Sequence, residues 1–169
     1  MHLSQQSCYQ YPLVFSSPSP AKDQRYNCMD YDSSDFVYIG GSVAGNTIIG
    51  SNTDTAFVFK YSTTTQTIDK KVTLGSYTYT FACKLSNSKL VVATNSDFSI
   101  GVLDPSAFTM EAYYELTSTS TNIWVQPEIY YKDSYLYGAF FDSSDSKLRV
   151  FSILTTTHAY VFKKVPVTI

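Results

Sequence analysis

The sequence predicts an all-β fold assembled from repeated four-stranded antiparallel units, and three observations support this. The first is composition. Fifteen Tyr and eleven Phe, with abundant Ser and Thr, take the place of Glu, Lys and Leu, and charged residues make up only 15% of the 169. Aromatic and β-branched residues suit pleated, half-buried surfaces. No window combines apolar residues at helical spacing with helix formers. The second is a repeat: AGNTIIGSNTDTAFVFKYSTTTQTIDKK (44–71) returns 42 residues later, without a gap, as SNSKLVVATNSDFSIGVLDPSAFTMEAY. A third copy starts near Lys132 as KDSYLYGAFFDSSDSKLRVFSILTTTHAYVFKK. The third is alternation. Phe57, Phe59 and Tyr61 fall on one face of a strand, Ala56 and Val58 on the other. Phe98, Ile100 and Val102 repeat that second face, and so do Leu148 and Val150. Period-2 spacing with apolar residues on both faces describes a strand buried between two sheets.

Taken in order, residues 1–34 read as an N-terminal arm or partial unit. Met1 to Ser7 is a polar start, Cys8 to Ser17 and Arg25 to Tyr31 are strand candidates, and Pro18 and Pro20 break the loop between them. Three repeats follow, at about 35–76, 77–120 and 121–164. Each is expected to open on an innermost strand: Val37 to Val43, Tyr79 to Leu85, Val125 to Tyr131. Small residues align in the first two, Gly40-Gly41 against Ala82-Cys83, whereas the third has Glu128-Ile129. The second strands centre on Ile48-Ile49, Leu90-Val91 and Leu136-Tyr137. Polar turns follow at Asn52–Asp54, Asn95–Asp97 and Asp142–Asp145, where Asn and Asp cap their own backbone. After the third strand come turns at Ser62–Thr64, Asp104–Ser106 and Leu154–Thr156, and last strands from near Ile68, Met110 and Tyr160. Pro105 presets the dihedral that the second turn position needs. The tail 165–169, Val-Pro-Val-Thr-Ile, is an apolar, strand-like run that needs a pairing partner.

A four-stranded unit at this period is a β-propeller blade; the alternative is an antiparallel β-sandwich with evenly spaced strands. The second unit also resembles the YVTN-type propeller repeat, whose pattern is a turn, Lys-x-Val-Tyr-Val-Ala-Asn, a short polar turn, then Val-x-Val-Ile-Asp. Lys89 to Asn95 and Ile100 to Asp104 carry the match, and the likeness extends in degenerate form over roughly 35–164. Gly50 and Gly138-Ala139 depart from it in the other copies. Closed propellers use roughly four to eight blades. Three units therefore imply a partial propeller, completed by a second chain or belonging to a longer protein.

Net charge is −2, and Lys60, Lys70, Lys71, Lys84 and Lys89 are dispersed, so no nucleic-acid partner is expected. The run Tyr11 to Phe15 is short, broken by Pro12 and without a basic flank, which is not a secretory signal. No apolar stretch is long enough for membrane insertion by a helix. A cytoplasmic setting is favoured unless the chain is a fragment of a secreted protein. Two cysteine assignments stand: a Cys8–Cys28 bridge across the Pro-rich turn, or three reduced thiols with Cys83 a small buried hydrophobe. The odd count and missing signal favour the second.

Chemistry is sparse. His2 lies in the polar start and His158 in a late turn, neither at ligand spacing from another His or Cys. There is no Gly-x-Ser-x-Gly elbow or phosphate loop. Asp30, Asp32 and Asp35 in DYDSSD resemble the start of a calcium loop without its Gly and distal Glu, and Asp142 and Asp145 form a similar turn; Asx-type turns explain both. Tyr130, Tyr131, Tyr135 and Tyr137 read as inter-sheet packing rather than a sugar platform, and Trp124 as core. No catalytic, cofactor-binding or metal residue is assigned, and no cofactor. The function expected is a non-enzymatic protein-interaction or scaffold module, its partner a protein or further blades of the same ring, with a homo-oligomer as one form. The alternatives are an enzyme of the lactonase or quinoprotein-dehydrogenase type, which the YVTN likeness implies, and a carbohydrate- or calcium-dependent adhesin.

Overall fold

The computed structural model describes residues 24–43, 55–74, 80–94, 99–115, 128–142 and 147–165. They form twelve strands in three four-stranded antiparallel sheets. The first holds β1 (Gln24–Tyr31), β2 (Phe36–Val43), β3 (Thr55–Ser62) and β4 (Thr67–Thr73). The second holds β5 (Thr80–Ser86), β6 (Lys89–Thr94), β7 (Ser99–Asp104) and β8 (Thr109–Glu115). The third holds β9 (Glu128–Lys132), β10 (Tyr135–Asp142), β11 (Lys147–Leu154) and β12 (Ala159–Val165). Spatial order equals chain order within every sheet. These are propeller-type blades, three sheets where a sandwich would have two.

The hairpins show why these residues turn where they do. Asn87-Ser88 and Asp133-Ser134 take positive φ at both positions, the two-residue turn whose twist matches that of the flanking strands. The outer hairpins place Gln66, Phe108 and His158 at equivalent positions, with φ of 58°, 60° and 57°. In the first and third sheets a threonine ties this outer hairpin to the inner one. Thr63 N donates to Asp35 O (2.9 Å), and Thr155 N donates to Ser134 O (2.9 Å). The second sheet has Pro105 there, which has no N–H. Its turn is capped instead by Asp104 Oδ1, which accepts from Ser106 N and Ala107 N, both at 2.7 Å.

Packing follows the alternation. In the second sheet Leu90, Val92, Leu103 and Cys83 face the first sheet, where they meet Ala56, Val58, Tyr38 and Cys28. Val91, Ala93, Ile100 and Val102 face the third sheet and its Ile129, Leu136, Phe140, Phe151 and Ile153. Phe57, Phe59 and Tyr61 form a separate buried cluster on the far face of the first sheet, with the Tyr26 ring edge-on to both phenylalanines. Gly138 lets the third sheet close. A Cβ there would lie 2.3 Å from Phe151 Cζ and 3.0 Å from the Glu128 carbonyl oxygen.

The strands of the first unit differ from the expectation. Phe36–Val43 is its second strand, paired with β3, and Gln24–Tyr31 is its first. The span Arg25 to Tyr31 is therefore part of the first blade, and Gly40-Gly41 correspond to positions on β6 rather than to Ala82-Cys83. Val165 pairs with Leu148 as the end of β12 rather than opening a tail. The YVTN-like residues fall on β6 and β7. Residues 1–23, Ile48-Ile49, the turns at 52–54 and 95–97, Trp124, Asp145 and 166–169 lie outside the described residues.

The positive-φ positions yield a test. Gln66 is exposed, so Gln66→Gly should raise stability by about 0.5–1 kcal/mol in urea unfolding, because glycine adopts this conformation without a Cβ penalty. Phe108 is buried and stacks on Tyr38 at 6.4 Å. Phe108→Gly should lower stability by about 3 kcal/mol despite the same backbone.

Candidate functional site

Two places in the stack present chemistry. The first is where the inner strands converge. Asp30 on β1 accepts a hydrogen bond from Leu85 N (2.7 Å) and sits 3.5 Å from Lys84 Nζ, tying the first sheet to the second. Ser86 Oγ donates to Tyr131 O (2.8 Å), tying the second to the third. Thr80, fully buried, donates to Phe57 O (3.0 Å) and its carbonyl accepts from Asn27 Nδ2 (3.0 Å). Between these ties is a hollow of about 170 Å³ lined by Cys28, Met29, Cys83, Lys84, Glu128 and Ile129. Cys28 and Cys83 are free, buried thiols. Cys8 lies outside the described residues.

The second place is the outer face of the third sheet. Each sheet has one face that packs on the next, and equivalent positions can be compared along the stack. Tyr38 and Val91 are 2% and 0% exposed, while the matching Tyr137 is 44% exposed. Val58 and Ile100 are both 0% exposed, while the matching Val150 is 38% exposed. Tyr130 and Val161 are open on the same face, and the Tyr135 and Tyr137 rings stack at 5.7 Å. A shallow hollow of about 320 Å³ runs between Tyr130, Tyr137, Ala139 and Val150. Of the tyrosines expected in inter-sheet packing, Tyr131 packs against the core between the second and third sheets. Tyr130, Tyr135 and Tyr137 point away from it. Sequence alternation marks both faces of β10 as apolar or aromatic, but only the count of sheets tells which one has a neighbour.

The acidic residues of DYDSSD do not converge. Asp30 turns to Leu85 and Lys84. Asp32 Oδ1 caps its own hairpin, accepting from Ser34 N, Ser34 Oγ, Asp35 N and Phe36 N at 2.7–3.1 Å. Asp35 accepts from Ser62 Oγ (2.7 Å), Thr63 Oγ1 (2.8 Å) and Thr64 N (2.7 Å). Among the described residues no three His, Cys, Asp or Glu side chains gather into a group able to hold a metal ion. His158 is exposed in its turn, its ring 5.7 Å from that of Tyr114. No described helix is long and apolar enough to cross a membrane.

No family model matches the chain, and no curated protein matches it. Among solved structures it is similar to the WD40 domain of Neurospora crassa Pan2, at 13% identity and a TM-score of 0.48. The match covers 83% of this chain and 40% of that one, so this chain spans less than half of that domain's length. The class of protein defined here, an all-β chain of antiparallel four-stranded blades, stands on the three sheets and their stacking.

Both hairpin carboxylates are held below their ordinary range. Hydrogen bonds from Thr64, Ser62 and Thr63 hold Asp35 down at about 2, against an ordinary 3.8. Burial pushes Asp32 up, but the donors of Ser34, Phe36 and Asp35 outweigh it and leave it below the usual range. A carboxylate depressed in the folded state stabilises fully above its unfolded value, and that stability is lost as pH falls through the folded one. The melting temperature should therefore drop between about pH 4 and pH 2. Asp35→Asn should melt lower at neutral pH and show a shallower drop over that interval, measured by circular dichroism.

Proposed function

We propose that this chain is a non-enzymatic protein-interaction or scaffold module built of propeller-type blades, and that the outer face of its third sheet is the docking surface. The observation that carries this reading is the comparison along the stack: positions buried between the first and second sheets, and again between the second and third, are open on the third. Exposed aromatic and aliphatic side chains on a flat sheet face are costly in water. The occupant that suits such a face is another sheet, packed as the existing sheets pack.

Two features favour a second copy of this chain in that role. At the opposite end of the stack Phe57, Phe59 and Tyr61 are already buried, which leaves less open apolar surface for a head-to-tail partner. A two-fold contact of third sheet on third sheet needs no other surface. The exposed row on β9 is also self-complementary: Glu128, Tyr130 and Lys132 alternate onto the same face, acid at one end and base at the other. Under a two-fold axis through Tyr130, each Glu128 meets the Lys132 of the other copy. Opposed charges of this kind set register more than affinity.

Light scattering over a concentration series tests the reading. The mass should rise from 18.9 kDa toward twice that value. Val150→Arg should remain at the monomer mass with an unchanged melting temperature. Glu128→Lys or Lys132→Glu should each weaken association about tenfold, and the two together should restore it. A chain that stays monomeric at every concentration, or a Val150→Arg variant that associates like the parent, would overturn the proposal.

A further inference from the structure

Cys28 and Cys83 lie on β1 and β5, the inner strands of two facing sheets, and both belong to the apolar cluster that joins those sheets. Cys83 is the Cys28 thiol's neighbour in that cluster, and Cys83 Sγ lies 3.8 Å from the carbonyl oxygen of Tyr38, two residues from Gly40, which pairs with Cys28. Gly40, paired with Cys28 across the first sheet, makes the room. A Cβ at Gly40 would sit 2.6 Å from Cys28 Sγ and 2.9 Å from Thr80 Cγ2. Both cysteines line the hollow of about 170 Å³ between the inner strands, which a small oxidant can enter. Sequence spacing leaves open a Cys8–Cys28 bridge or three reduced thiols, and favours the second; the stack places Cys28 beside Cys83.

We propose that Cys28 and Cys83 are the two halves of an inter-sheet disulfide, formed on exposure to a peroxide and locking the first sheet to the second. In the first step one thiolate sulfur attacks a peroxide oxygen and the O–O bond breaks. The other oxygen leaves as hydroxide, which takes up the proton the thiol had released and becomes water, and the cysteine becomes a sulfenic acid. In the second step the remaining thiol sulfur attacks the sulfenic sulfur, the S–O bond breaks, and a second water departs with that thiol's proton. Two thiols are oxidised and one peroxide is reduced to two waters. Burial, and next to it the neighbouring Cys83, push the Cys28 thiol up, so Cys28 holds its proton at neutral pH and reacts slowly. The bond would close a loop over 54 intervening residues, 29 to 82, long enough to restrict the unfolded chain substantially.

The test uses the full chain carrying Cys8→Ser, so that this pair holds its remaining thiols. The protein is treated with excess hydrogen peroxide at mildly alkaline pH, and thiols are counted in denaturant. Before treatment two thiols should react. Afterwards none should, the intact mass should fall by two hydrogens, and a protease digest should contain a peptide joining β1 to β5. The melting temperature should rise by on the order of 5 °C and return on reduction. Cys83→Ala and Cys28→Ser should each gain oxygen or stay unchanged and form no such peptide. Two thiols that persist after treatment, or that both take up oxygen without linking, would overturn the assignment. So would a link found only between separate chains.

Discussion

Everything in this stack depends on burying both faces of the second sheet. A four-stranded sheet with apolar residues on both faces is not stable in water, and β6 and β7 have no polar face to offer. Leu90, Val92 and Leu103 point one way, Val91, Ala93 and Ile100 the other, all essentially excluded from solvent. The first and third sheets are therefore required partners of the second. Their own hairpins mainly fix the register in which they meet it.

The polar groups at the inner edge make that meeting specific. Apolar packing tolerates sliding, whereas Asp30 on Leu85 N and Ser86 on the Tyr131 backbone each admit one alignment. The outer strands show a second device. A bulge follows Lys60 in the first sheet and Val102 in the second, leaving Asp69 and Glu111 unpaired in the ladder. Both acids meet lysines, Asp69 with Lys60 at 3.7 Å and Glu111 with Lys89 at 2.6 Å. The third sheet has a regular ladder there. The part-exposed Lys89–Glu111 pair contributes little stability, whereas Lys60 is buried, its ammonium 3.8 Å from the centre of the Phe36 ring.

The repeat in the sequence was legible because β7, β8 and the hairpin between them carry the strongest pattern, and the offset of 42 holds from Ser62 and Asp104 through Thr67 and Thr109. It failed upstream for a physical reason. The connection between the second and third strands is 44–54 in the first unit but 95–98 in the second, and a gapless alignment cannot absorb that difference. Ile48-Ile49 then takes the place of Val37-Tyr38. The first inner strand, QRYNCMDY, lacks clean alternation because Asn27 and Asp30 use their side chains on the neighbouring sheet. The nearness of Cys28 and Cys83 is illegible for the same reason: with Arg25 to Tyr31 read as part of an arm rather than of the first blade, Cys28 has no sheet in which to face Cys83. The open third face was not legible at all, since Tyr137 and Val150 carry the residues of a buried face.

Amide hydrogen exchange reads out the role of the second sheet. If the second sheet is the shared support, backbone amides of β6 and β7 should exchange slowest, opening only with global unfolding. Amides of β11 and β12, on the sheet with one open face, should exchange at an intermediate rate. Exchange in β6 and β7 as fast as in β12 would contradict the stacking on which the account rests.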